Sequence, residues 1–190
     1  MNLAPHLTNT SLQTGDDTED SVRLLSELAG CKIMSKSGLE TLINENDISN
    51  ITDQVAKVLA MTFQAALQTT VHFQVNVPQL CQNLTPLNIS IQPLPNAFEL
   101  FGADLLVTDL GGSEFQVHIL ELNAEPAIEL TGARLSWILQ DLFDGIAKAC
   151  IGEKLECVPK KKPIESWNVG ETKHGLIKCL EVAVRGPGSW

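Results

Sequence analysis

The feature that most limits how this chain can fold is the stretch Phe98 to Pro126, FELFGADLLVTDLGGSEFQVHILELNAEP. Two apolar runs, Phe98 to Val107 and Phe115 to Leu122, flank a turn built from Asp109, Leu110, Gly111, Gly112 and Ser113, and that pattern predicts a β-hairpin. The few polar side chains inside the strands are the informative ones, because a carboxylate on a half-buried strand is costly unless something pairs with it. Glu121 and Asn123 stand two residues apart, so the alternation of a strand sets both on one face. With Leu110 paired to Phe115 across a GGSE loop, the antiparallel register puts Val107 opposite His118 and Asp104 opposite Glu121. Two carboxylates about 5 Å apart across a ladder repel each other unless a cation lies between them or one takes a proton. Carboxylate and amide oxygens suit a hard ion, and magnesium takes one or two carboxylates while leaving its other positions to water and phosphate. An exposed strand face with ordinary polar residues accounts for the same pattern.

The combination F-E-L-F-G-A-D, followed after the hairpin by L-E-L-N-A-E-P, resembles the magnesium-binding hairpin of ATP-grasp ligases, and specifically of the tubulin-tyrosine ligase family. That resemblance implies that Asp104, Glu121 and Asn123 hold the magnesium ion bound to ATP. E-x-N alone is a weak signal, and F-x-L-F-G-x-D beside it is much stronger. Near the N-terminus, His6 to Gln13 reads H-L-T-N-T-S-L-Q, a strand end running into a loop. H-L-T-N matches the family's ATP site. The resemblance gives Thr8 and Asn9 to the nucleotide and Thr10 and Ser11 to the acceptor amino acid, whereas His6 has a structural role as its alternative. Arg134 is the one candidate for a basic residue facing the substrate from the loop before the next helix, and no residue is assigned to catalysis.

Elsewhere the pattern is helical. GDDTED, Gly15 to Asp20, starts a helix over Ser21 to Ala29 that Gly30 closes. Cys31 to Glu45 reads ambiguously. From Ile51 to Thr69, residues Ile51, Val55, Val58, Leu59, Thr62, Phe63, Ala66 and Leu67 fall on one buried stripe, with Asn50 as N-cap and Asp53 three residues on. Val71 to Pro95 holds four prolines and reads as a connector. Leu135, Ile138, Leu139, Leu142, Phe143, Ile146 and Ala147 give an apolar face to a helix from about Arg134 to Ile151. Lys154 to Val158 and Leu176 to Val184 form a candidate terminal strand pair. The expected fold is α/β (α+β): an incomplete ATP-grasp C-terminal lobe, mainly antiparallel sheet with packed helices. Residues 1–158 make up that lobe and residues 159–190 a C-terminal extension.

At 190 residues and 44% hydrophobic, the chain has material for one domain with a real core. Its five cysteines are odd in number and lack C-x-x-C spacing, which indicates neither a disulfide framework nor a zinc site. No apolar run is long enough for a membrane span and no signal-like N-terminus appears, so the expected setting is cytoplasmic. A net charge of −10 argues against nucleic acid and anionic membranes as partners. It also runs against one consequence of the resemblance, since a ligase acting on tubulin or another acidic protein tail should present a basic groove.

For the complete protein the resemblance implies ATP- and magnesium-dependent ligation of an amino acid to a protein carboxylate through an acylphosphate. Its expected coverage, about His6 to Ile151, corresponds to the C-terminal half of the family's catalytic domain. Five residues precede His6, so the lysine-bearing lobe has no sequence here. A piece of a longer ligase, inactive alone, is therefore expected, with a fungal parent fused to a SurE-like domain as a suitable source. A non-catalytic interaction module keeping the fold is one alternative, and an ATP-grasp ligase with a small-molecule acceptor is another.

Overall fold

The computed structural model describes residues 23–34, 38, 40–69, 97–128, 135–152 and 167–183. It opens on a 3-10 turn, Leu25–Leu28, which Gly30 ends in the left-handed region at φ 83°. The expected helix over Ser21 to Ala29 is therefore one short turn within the described residues. The ambiguous segment after it is a small antiparallel hairpin, β1 (Lys32–Met34) against β2 (Glu40–Leu42).

Helix α1 runs over Glu45–Thr69 and begins six residues before the expected start. Its cap is Asn44 and not Asn50. Asn44 Oδ1 accepts the backbone N–H groups of Asn46 and Asp47 at 2.9 and 3.2 Å, and Asp47 Oδ2 accepts the N–H of Asn44 at 2.8 Å. This reciprocal pair is a capping box, and the flanking Ile43 and Ile48 belong to one buried cluster, as in a hydrophobic staple. Asn50 has the same N-x-x-D spacing but polar neighbours at the staple positions, Ser49 and Gln54.

The predicted hairpin is present as β3 (Gly102–Gly111) and β4 (Glu114–Asn123). Its turn is tighter than expected. Gly111 opposes Glu114 across the two residues Gly112 and Ser113, both at positive φ (67° and 64°), the conformation whose twist matches a tight hairpin. Asp109 Oδ1 accepts the N–H of Gly111 at 2.8 Å and holds the chain into that turn.

The core lies between α1 and the hairpin, where Ile43, Ile48 and Ile51 pack with Phe115 and Val117, and Leu28, Ala29, Ile33, Val55 and Leu105 pack around them. Phe63 near the end of α1 meets Phe101, just before β3, edge-on at 5.7 Å. Further along, α2 (Ser136–Ile146) continues into a π-helical segment, Ala147–Gly152. A C-terminal hairpin pairs β5 (Thr172–Lys173) with β6 (Leu176–Ile177). Leu176 thus pairs with Lys173, and the other half of the anticipated terminal pair, Lys154 to Val158, lies outside the described residues, as do the Val71 to Pro95 connector and Trp190.

The architecture is mixed α/β, with each described sheet two-stranded, antiparallel and open. Among the described residues, no helix is long and apolar enough to cross a membrane.

Candidate functional site

The long hairpin brings three of the anticipated site residues together. Asp104 opposes Glu121 in the ladder, as the sequence predicts, and Asn123 Nδ2 donates to Glu121 Oε1 at 3.3 Å. Both carboxylate residues are exposed and Asn123 is half-buried. No Lys, Arg or His among the described residues forms an ion pair with either carboxylate.

The route to that pairing differs from the uniform register. Between Leu105 and Asp109 the strands are shifted by one residue: Val107 opposes Val117 and not His118, Leu106 opposes His118, and Asp109 opposes Phe115. Two bulges enclose the shifted stretch. Leu110 is the extra residue on β3, and Leu120 is the extra residue on β4, so the second bulge undoes the slip introduced by the first. Strict alternation would have put Glu121 and Asn123 on the same face as Phe115 and Val117. Those two residues are buried against α1, where an uncompensated carboxylate is costly. Because Leu105 belongs to the core-packed set and Asp104 is its neighbour, Asp104 belongs to the other face, and Glu121 opposes it there.

Three contacts position this face. Gln54 of α1 donates to Phe115 O at 2.8 Å and accepts from Val117 N at 3.1 Å, which satisfies two backbone groups on the outer edge of β4 in the way a neighbouring strand would. Sequence reasoning placed Gln54 on an ordinary core helix, and nothing in its pattern pointed to this clip. Gly102 opposes Asn123, and a Cβ at 102 would come within 3.0 Å of Pro126 Cβ, so the absent side chain leaves room for the chain after β4 to fold back. Farther along the open face, Thr108 Oγ1 donates to Gln116 O at 3.2 Å and lies 3.4 Å from His118 Nε2.

The donor set fits a hard cation by its chemistry: two unneutralised carboxylates opposed across a ladder, with an amide group alongside. Among the described residues, no group of three His, Cys, Asp or Glu side chains is arranged for a metal, and the further polar side chain beside the two carboxylates is the Asn123 amide. Thr8, Asn9, Thr10, Ser11 and Arg134 lie outside the described residues.

The family model described as the tubulin-tyrosine ligase family matches residues 1–162. A Saccharomyces cerevisiae protein named "probable tubulin–tyrosine ligase" is 34% identical over 149 residues, covering 78% of this chain and 16% of that protein. A Schizosaccharomyces pombe protein of the same description is 31% identical over 150 residues, covering 78% of this chain and 28% of its own length. The chain thus spans between a sixth and under a third of these relatives. No solved structure gives a significant match.

Proposed function

Because the chain belongs to the tubulin-tyrosine ligase family, we propose that it supplies the metal-holding part of an ATP-dependent ligase that joins an amino acid to a carboxylate of a protein substrate. The observation that carries this reading is the opposition of Asp104 and Glu121 on the open face, with the Asn123 amide bound to Glu121 and no cation from the described chain between them. Asp104, Glu121 and Asn123 would hold Mg2+. Bound there with ATP, it would offset charge on the phosphate oxygens as the γ-phosphoryl group passes to the acceptor carboxylate, giving an acylphosphate for the amine to attack.

What the chain itself contributes is placement. The two strands fix the carboxylates at the spacing of a ladder pair, the amide orients Glu121, and α1 with its Gln54 clip keeps the strands rigid so that phosphates meet a prearranged site. Thr8 and Asn9 are proposed to contact the nucleotide, and Thr10, Ser11 and Arg134 the incoming amino acid. The cytoplasm is the proposed setting. The acceptor is proposed as a protein, tubulin or another acidic tail, although the acidic balance of this chain means that any basic docking groove is built locally.

The test is metal binding by the chain itself. Mn2+, a paramagnetic stand-in for Mg2+, broadens the NMR signals of residues 104, 121 and 123, and excess Mg2+ reverses it. Glu121→Gln keeps the shape and removes one charge; it weakens this binding at least tenfold and leaves the fold intact. Affinity within about twofold of the native chain, less than about 0.4 kcal/mol, removes Glu121 from the site.

A further inference from the structure

We propose that the bulge at Leu120 sets the phase of β4: with Leu120 looped out of the ladder, Glu121 follows Ile119 in the alternation, so Glu121 and Asn123 stand on the open face with Asp104 and not on the helix-packed face. The sequence shows the same change of phase. Apolar side chains occupy the odd positions Phe115, Val117 and Ile119, then the even positions Leu120 and Leu122, so the alternation breaks at the Ile119–Leu120 step. Phe115 and Val117 are buried against α1, and Ile119 opposes Leu105 of the same packed set. Past the bulge, Leu122 opposes Ala103 and takes over the inward phase, while Glu121 opposes Asp104. Leu120 itself is 61% exposed, so burying it is not what holds the bulge in place. The driving force is instead the exchange it permits: Leu122 turns inward in place of Glu121, which keeps an uncompensated carboxylate out of the apolar layer.

The bulge at Leu110 completes the device. By slipping the register one residue near the turn, it makes a second, opposite slip necessary before Asp104 and Glu121 can meet. Bulges re-aim side chains by adding one residue to one strand, and here the pair of them lets a single ladder present apolar residues to α1 along its middle and carboxylates to the open face at its end.

The consequence for metal binding rests on the proposed function, whereas the geometry does not, and two changes of strand length separate them. Deleting Leu120 yields a regular ladder in which Ile119 still opposes Leu105 and Glu121 still opposes Asp104. The expected outcome is a folded protein that keeps the cross-strand NMR contact between residues 104 and 121 and binds Mn2+ within about twofold of the native chain. Inserting one alanine after Leu120 moves Glu121 opposite Gly102, about 7 Å along the strand; the 104–121 contact is lost and Mn2+ binding falls at least tenfold in a folded protein. A deletion variant that unfolds or loses the 104–121 contact overturns the proposal. So does an insertion variant that unfolds or binds like the native chain. If Glu121→Gln binds Mn2+ as the native chain does, the metal reading fails, and the 104–121 contact in the two length variants still decides the role of the bulge.

Discussion

The long hairpin and the C-terminal hairpin handle their polar groups in opposite ways. The C-terminal one turns them on itself: Trp167 Nε1 donates to Glu171 O at 2.8 Å, Asn168 donates to both carboxylate oxygens of Glu171 through its backbone N–H and its amide, and Lys178 Nζ reaches Trp167 O and Glu181 Oε2, each at 2.7 Å. The long hairpin is held from outside, by an apolar layer and one glutamine of α1, and leaves Asp104 and Glu121 facing each other without a cation from the described chain. A polar group that is fully satisfied by its own segment is explained by the fold. A pair of like charges set against each other is not, and it is there that the proposed metal would sit. The family match, which ends at residue 162, covers the long hairpin and not residues 167–183, and the division follows the same line.

The difference can be broken most forcefully at Phe115. It is 8% exposed and central to the layer between α1 and β4. Phe115→Ala removes its contacts and leaves a cavity, with an expected loss of about 3 kcal/mol. Native-state hydrogen exchange should show the loss in α1 and residues 102–123, and no change in the local opening of residues 167–183. Next comes Gln54→Ala, which strips two backbone partners from β4 and leaves Phe115 C=O and Val117 N–H unsatisfied, for about 1–3 kcal/mol by denaturant unfolding. A loss under about 0.5 kcal/mol would mean that water replaces Gln54 at no penalty and that the clip is incidental.

How much of this was legible depended on whether a feature repeats. The hairpin and α1 repeat their apolar positions over many residues, so both were readable, and so was the Asp104–Glu121 opposition. The two bulges break a repeat at one point each and cancel, so a uniform register reached the right pair through the wrong intermediate partners. The start of α1 was misread because N-x-x-D occurs twice, at Asn44 and at Asn50. The tie-breaker was present in Ile43 and Ile48, which staple the first copy, while the second has Ser49 and Gln54 in those places. The gap between 128 and 135 leaves Arg134 undescribed, and the H-L-T-N segment lies equally outside.

That correction supports a smaller prediction. Asn44→Ala removes the acceptor of two N–H groups and should cost about 1 kcal/mol, while Asn50→Ala, now inside the helix, should cost a few tenths at most. Because α1 packs on the long hairpin, thermal unfolding of the first variant should loosen residues 102–123 along with the helix. Equal effects at both asparagines would mean that the Asn44 cap contributes no more than the Gln54–Asn50 hydrogen bond at 2.6 Å inside the helix.

The smallest effect is expected in the self-contained hairpin, and pH is the way to reach it. The side-chain amide of Asn168, then its backbone N–H, holds the Glu171 carboxyl below the usual 4.5; desolvation opposes the shift, and Lys173 and Lys178 add the smallest contributions. A carboxylate whose folded value is depressed adds stability that is complete above the unfolded value and disappears as pH falls through the folded one. The C-terminal turn should therefore be unchanged at neutral pH and open progressively below about 4.5, read as a shift of the Trp167 indole N–H signal, whose acceptor is Glu171 O. Added salt should change this little, because hydrogen bonds dominate the shift and charge pairs with the lysines come last among its causes. Glu171→Gln should flatten the pH response, and it should leave Mn2+ broadening at residues 104 and 121 untouched. An indole signal that stays fixed from neutral pH to well below 4.5 would show that the Asn168–Glu171 bonds do not hold the turn, and the contrast between a self-satisfied hairpin and one with opposed carboxylates would lose its first half.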